Sequence, residues 1–210
     1  MTPNTGILAA AAAILFGGPA LAQQAPAAPT PQGPTKAELV AIEPEWTKVC
    51  ANDPQTHKEV CYTARDFGTK ADSPIMAFQL FDEKGSDEKL LRLLLPLGVQ
   101  LKPGFRYALD GGAFESGGFD VCFPAGCFGE TKLKRALVDS MKKGEKFAIV
   151  IKNQANAEVT LVVPLADFGK AYDGPPIDPK VLEERQKKLQ EELKKRADAE
   201  RQQQRDGKQQ

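Results

Sequence analysis

The sequence is poor in the residues that most often do chemistry. It has one histidine, one tryptophan and four cysteines among 210 residues. A lone histidine has no second imidazole with which to share a metal, and His57 sits in a polar run, 52–58, with no apolar setting to tune it. It reads as an exposed loop residue. Net charge is also lacking, since 28 Lys and Arg balance 28 Asp and Glu, so there is no overall basic field to hold nucleic acid. No nucleic-acid partner is expected. No Gly-x-Ser-x-Gly elbow, phosphate-cradling glycine loop or dinucleotide fingerprint follows a strand-like run. Apolar runs fall short of the roughly 20 residues that a membrane-spanning helix needs, so no membrane span is expected. With 41% hydrophobic residues the chain is neither collagen-like nor wholly disordered.

What is present begins with a stretch free of charge. Residues 1–22 contain no Lys, Arg, Asp or Glu, and the apolar core 7–16 is followed by Gly17, Gly18 and Pro19 and then Ala20-Leu21-Ala22. That is the length and small-x-small ending of a signal peptide cut before Gln23. No cysteine lies near the cut to carry a lipid anchor, so the expected location is the periplasm or beyond, in the cell envelope. Residues 23–45 open on QQAPAAPTPQGPT, whose prolines lack amide donors and favour an extended spacer. This segment reads as a linker.

From residue 46 to 174 the texture changes to short apolar runs bounded by Gly, Pro, Asn and Asp: 46–50, 60–64, 75–81, 90–97, 105–110, 119–123, 147–153 and 159–165. Several alternate with period two, notably Met76/Phe78/Leu80, Leu91/Leu93/Leu95, Phe119/Val121/Phe123 and Phe147/Ile149/Ile151, and each set is expected on one strand face. About eight such strands in one region predict an all-β antiparallel sandwich or barrel. Only 133–143 looks helical, with Leu133, Leu137 and Met141 at i, i+4 and i+8 before Gly144. The end, 175–210, is a charged helical or disordered tail. From Pro179 onward it holds ten basic and seven acidic residues, several as Glu four places before Lys or Arg, but too few leucines for a coiled-coil seam.

Four cysteines in an exported chain predict two disulfides, with three possible pairings. The two local ones, Cys50 with Cys61 and Cys122 with Cys127, are expected because both enclosed segments carry turn residues and short loops close readily. Cys122 and Cys127 have four residues between them rather than two and sit at a strand end, which argues against a thioredoxin-type redox site. No metal or cofactor site is expected. Gly111-Gly112 and Gly117-Gly118 flank Ala-Phe-Glu-Ser between strands and read as turns, and Glu115, Asp120 and Glu130 near such glycines read as solvated carboxylates rather than an acid and base pair.

An ordered set of motifs then emerges: Trp46-x3-Cys50, Cys61-Tyr62, Leu95-Pro96-Leu97-Gly98-Val99, Phe123 to Cys127, Lys143-Gly144 and Val163-Pro164-Leu165-x2-Phe168-Gly169-x-Ala171. This set resembles the invasion-associated locus B family of exported envelope proteins. The resemblance implies an immunoglobulin-like β-sandwich without known enzymatic activity and, in pathogenic members, a role in host-cell invasion. The expected function is a non-enzymatic binding or structural module whose partner is another envelope or host-surface protein. Its rival is a periplasmic thiol-disulfide factor or other enzyme. The export reading predicts that protein released by osmotic shock begins at Gln23. Intact Met1 on cytosolic protein, found by mass spectrometry, would overturn it.

Overall fold

A computed structural model describes residues 35–206; the expected signal peptide, the first part of the expected linker and residues 207–210 lie outside the described residues. The protein is mostly β. Its strands are β1 (Thr35–Glu38), β2 (Val40–Ala41), β3 (Thr47–Asn52), β4 (Glu59–Lys70), β5 (Ser73–Glu83), β6 (Glu88–Leu95), β7 (Phe105–Leu109), β8 (Glu115–Phe123), β9 (Gly126–Lys134), β10 (Lys146–Lys152) and β11 (Glu158–Pro164). Its helices are α1 (Arg135–Met141), α2 (Phe168–Asp173) and α3 (Pro179–Asp206).

The strands run β1-β11-β10-β7-β8-β9-β6-β5-β4-β2, with β3 paired to β4 off this path. Two segments make this path nearly close on itself. Strand β8 spends Glu115, Ser116 and Gly117 on β7 and the rest of its length on β9, so it belongs to both halves of the sheet. At the opposite seam β1 lies parallel to β11, the chain passes through Leu39, and β2 lies antiparallel to β4. A strap of seven residues thus joins the two edges that would otherwise stand open.

Period-two alternation places the core. Met76, Phe78 and Leu80, Leu91, Leu93 and Leu95, and Phe147, Ile149 and Ile151 are all buried, as their spacing predicts. Trp46 meets Phe67, Phe78 and Phe168 edge-on at 5.5, 5.6 and 5.1 Å, and its indole Nε1 donates to the Ala166 carbonyl at 3.0 Å. Such edge contacts add to the area that the rings bury.

Four features differ from the sequence expectations. The strap lies inside the expected 23–45 linker, yet Leu39 is 4% exposed and belongs to the core cluster. Its apolar run, Leu39 to Ile42, is only four residues long and follows closely on the proline-rich spacer, so it carried no strand signal of its own. Strand β9 was not anticipated, and it takes Leu133, buried at its inward register, out of the expected 133–143 helix. The helix that remains, α1, buries Val138 and Met141. A second internal helix, α2, appears where only one was expected, its six residues being too few for a periodic signal. Last, Gly117 and Gly118 lie within β8 rather than in a turn.

Both short helices sit at one end of the sheet. Tyr172 of α2 donates to Asp82 of β5, Lys142 beyond α1 is salt-bridged to Asp173 at 3.2 Å, and Lys48 donates to the carbonyls of Tyr172 and Gly174. The tail helix follows, with Ile177 donating to Lys48 O and the Asp178 carboxylate accepting from Lys180 N at 2.8 Å just ahead of Pro179, a normal helix start. Among the described residues no helix covers the other end.

Gly117 shows how tightly the shared strand is packed. It lies opposite Phe105, and a Cβ there would sit 2.2 Å from the Phe105 ring, which is itself 1% exposed and wedged against Phe119. Gly117→Ala must push that ring out of place and is expected to cost about 1–3 kcal/mol. A denaturant midpoint unchanged from wild type would contradict this packing.

Candidate interaction end

The hairpin of β8 and β9 turns at Pro124 and Ala125, and its last two pairs are Cys122 with Cys127 and Phe123 with Gly126. A disulfide joins Cys122 to Cys127, whose Cα atoms are 3.9 Å apart. Cys127 is 2% exposed and lies opposite Leu95, so this pair faces inward. Gly126 has φ of 147°, and a Cβ on it would meet the Leu95 carbonyl at 2.5 Å. Only glycine lets the turn approach β6 so closely.

The expectation that Phe119, Val121 and Phe123 share one face fails here, for a specific reason. The register shifts between Phe119 and Val121, leaving Asp120 as an extra residue in β8. One extra residue reverses every later side chain. Phe119 therefore packs on Phe105 in the core, whereas Val121 is 43% and Phe123 53% exposed, with Phe123 held edge-on to Phe128 at 5.9 Å. Leu97, just past the end of β6, is 58% exposed. Beside the turn, Ala125, Leu94, Ile75 and Ala77 help to line a cavity of about 250 Å³ with Asp66 among its walls. The uncovered end of the protein thus presents large apolar side chains on a rigid, covalently closed hairpin.

At the helical end the chemistry is polar and internally satisfied. Lys89 occupies the inward register of Leu91 and Leu93 and is buried, paired with Asp82 and donating to Ser86 O at 2.7 Å. The second Asp82 oxygen accepts the Tyr172 hydroxyl, and burial, then that hydrogen bond, pushes the phenol well above its usual range. Cys61 lies opposite Asp82 and is disulfide-bonded to Cys50. Sequence periodicity held the clue to Lys89, as a cation in an otherwise inward leucine series.

The remaining candidates stand apart. Glu115 accepts from the Tyr107 hydroxyl at 3.0 Å, Glu130 is ion-paired with Arg92, and Asp120 is the exposed bulge residue, so they form no facing acid and base. His57 occupies a left-handed position in an exposed turn whose amides at Gln55 and Thr56 donate to the Asp53 carboxylate. Among the described residues no group of three or more His, Cys, Asp or Glu is placed to hold a metal, and no helix is long and apolar enough to cross a membrane. The two disulfides fit an oxidising compartment.

These features define a nearly closed all-β module stapled by two cross-strand disulfides. The chain belongs to the invasion associated locus B (IalB) protein family, which matches residues 46–176. It is also similar to the crystal structure of invasion associated protein B from Bartonella henselae, with a TM-score of 0.53 and 22% identity over 64% of this chain and 92% of that one. At that identity the likeness speaks for the fold alone. No curated protein matches the chain by sequence.

Asp66 supplies a test of the cavity wall. Burial, and then the neighbouring Glu43 carboxylate, pushes its carboxyl above the usual range. The folded state therefore holds this proton more tightly than the unfolded one, so the penalty is fully present above the folded pKa and vanishes as pH falls below the unfolded one. Asp66→Asn is expected to raise the thermal midpoint near pH 7 and to leave it unchanged near pH 3. A gain of equal size at both would refute the buried-carboxylate account.

Proposed function

We propose that the protein is an exported, non-catalytic binding module of the cell envelope, and that it docks a protein partner through its uncovered end. The observation that carries this reading is the exposure of Leu97, Val121 and Phe123 around a turn fixed by the Cys122–Cys127 disulfide. A soluble domain rarely exposes large apolar side chains together without a use for them, and a hairpin already rigid loses little conformational entropy when it binds. Family membership, and the name of the Bartonella protein, favour a partner on the host-cell surface and a part in invasion.

The finer reading of the fold is an immunoglobulin-like sandwich rather than an open-cored barrel. It is supported by contacts across the interior, where Phe78 of β5 meets Phe147 of β10 at 5.6 Å. The rival function, thiol-disulfide exchange, needs a cysteine that a partner thiol can reach. Among the described residues every cysteine is disulfide-bonded, and Cys127 is buried. Under this proposal, titration with a mild dithiol leaves both bridges intact in folded protein.

Phe123→Ser tests the docking end directly. Half-exposed, Phe123 contributes little to the core, so the fold is expected to lose no more than about 0.5 kcal/mol. A central aromatic anchor is worth about 2 kcal/mol to binding, a roughly 30-fold loss of affinity. The assay is photo-crosslinking from position 121 in intact cells, compared between wild type and the Phe123→Ser variant, with position 170 on α2 at the helical end as control. Equal partner yields from the two positions would discard this end as the docking surface.

A further inference from the structure

The seam between β11 and β4 is a strand-binding groove, and we propose that it also accepts residues 35–41 of a second copy of this chain, so that the protein assembles by exchanging straps. The groove is defined by its occupant. Ala37, Leu39 and Ala41 point inward as small, large, small, with Leu39 in the core cluster and the alanines packed against it. On one side the backbone is read in parallel by β11, from Thr35 opposite Val159 to Glu38 opposite Val162, and Leu39 N donates to Val162 O at 2.9 Å. On the other side β4 reads Val40 and Ala41 in antiparallel register, and Ile42 N donates to Asp66 O at 3.0 Å. Without the strap both edges expose unpaired backbone and the core lacks Leu39, so the site is incomplete until some strand enters it.

Three observations make a second copy the fitting donor. The strap precedes every other described element, so it can leave and enter without threading through the fold. It is joined to β3 through bends at residues 42–45, and Pro44 within them biases Glu43 toward extended backbone, the conformation of a strap that runs outward. Its outward residues carry complementary charge, Lys36 pairing with Glu38 at 2.8 Å and Lys146 of β10 lying 3.9 Å from Glu38, so a donated strap meets no like-charge barrier. The contacts of residues 35–42 with β11, β10 and β4 are reproduced when the strap is donated, whereas the hydrogen bonds from the Arg65 guanidinium to the Glu43 and Pro44 carbonyls, which pin the bends, are what exchange must break. The balance between the two forms is then set by the bends and by concentration: the tethered strap wins when the protein is dilute, and exchange is populated when chains are crowded together.

The experiment uses the full mature chain and the register of the groove. Lys36 lies opposite Thr160, both away from the core. Lys36→Cys is placed in one chain and Thr160→Cys in another, the two are mixed, taken through mild denaturant and returned to oxidising buffer over a range of concentrations. The expected result is a disulfide-linked dimer joining the two introduced thiols by peptide mapping, its fraction rising several-fold over about a tenfold increase in concentration. A chain carrying both substitutions is the control, and it should close its own bond when dilute. If the control closes but the mixture stays monomeric at every concentration, the strap is a fixed part of its own chain and the proposal fails. If the control does not close, the register is wrong and the groove falls with it.

Discussion

Sheet closure is the constraint on which the rest of this structure depends. Strands built from residues 47–164 pair in one continuous path, but a path has two ends, and unpaired strand edges invite other strands. Here one end is β11 and the other is the outer edge of β4, which β3 covers only from Glu59 to Ala64, and the strap of residues 35–41 pairs with β11 and with β4 at Phe67 and Gly68. Leu39 is the point where the chain crosses from one edge to the other, which is why it is buried while most of its neighbours are not. Closure also sets the interior: once β4 and β11 are held together, Trp46 can pack on Phe67 and Phe168 from opposite sides of the seam.

A single extra residue does comparable work at the far side of the sheet. The bulge at Asp120 lets one strand serve two purposes, anchoring Phe119 in the core and then turning Val121 and Phe123 outward. Beyond the bulge β8 has lost its apolar grip on the interior. The inward Cys122–Cys127 bridge restores a connection to β9, and Cys127 in turn packs opposite Leu95. The disulfide is therefore where the hairpin needs it, at the point where side-chain burial no longer holds the two strands together.

Much of the body was legible in the sequence because period two is a strong signal wherever one face of a strand is buried. The sets on β5, β6 and β10 are inward without exception. Legibility failed where a register changes or where tertiary context overrides a local pattern. Asp120 looks like any polar residue in an alternating strand, and nothing in its identity announces a bulge. Leu133, Leu137 and Met141 have helical spacing, yet Leu133 is the last inward residue of β9 and the helix begins two residues later. The strap was hidden because a strand that closes a seam needs only one large side chain. The motif set was the most informative part of the sequence, since its ordered pieces pointed to the family before any contact could be known.

The two ends of the molecule then explain one another. At the helical end a buried ammonium, a carboxylate and a phenol replace what could have been apolar packing, and such a network contributes little net stability because desolvation offsets most of the attraction. What it does contribute is position. Asp82 binds Lys89 from the neighbouring strand and Tyr172 from a helix 90 residues away in sequence, so α2 can dock in one place only. That docking brings Phe168 against Trp46 and closes this end with helices, leaving the stapled hairpin as the uncovered one. At the helical end these polar groups find their partners within the chain, whereas at the hairpin Phe123 and Leu97 leave apolar surface exposed.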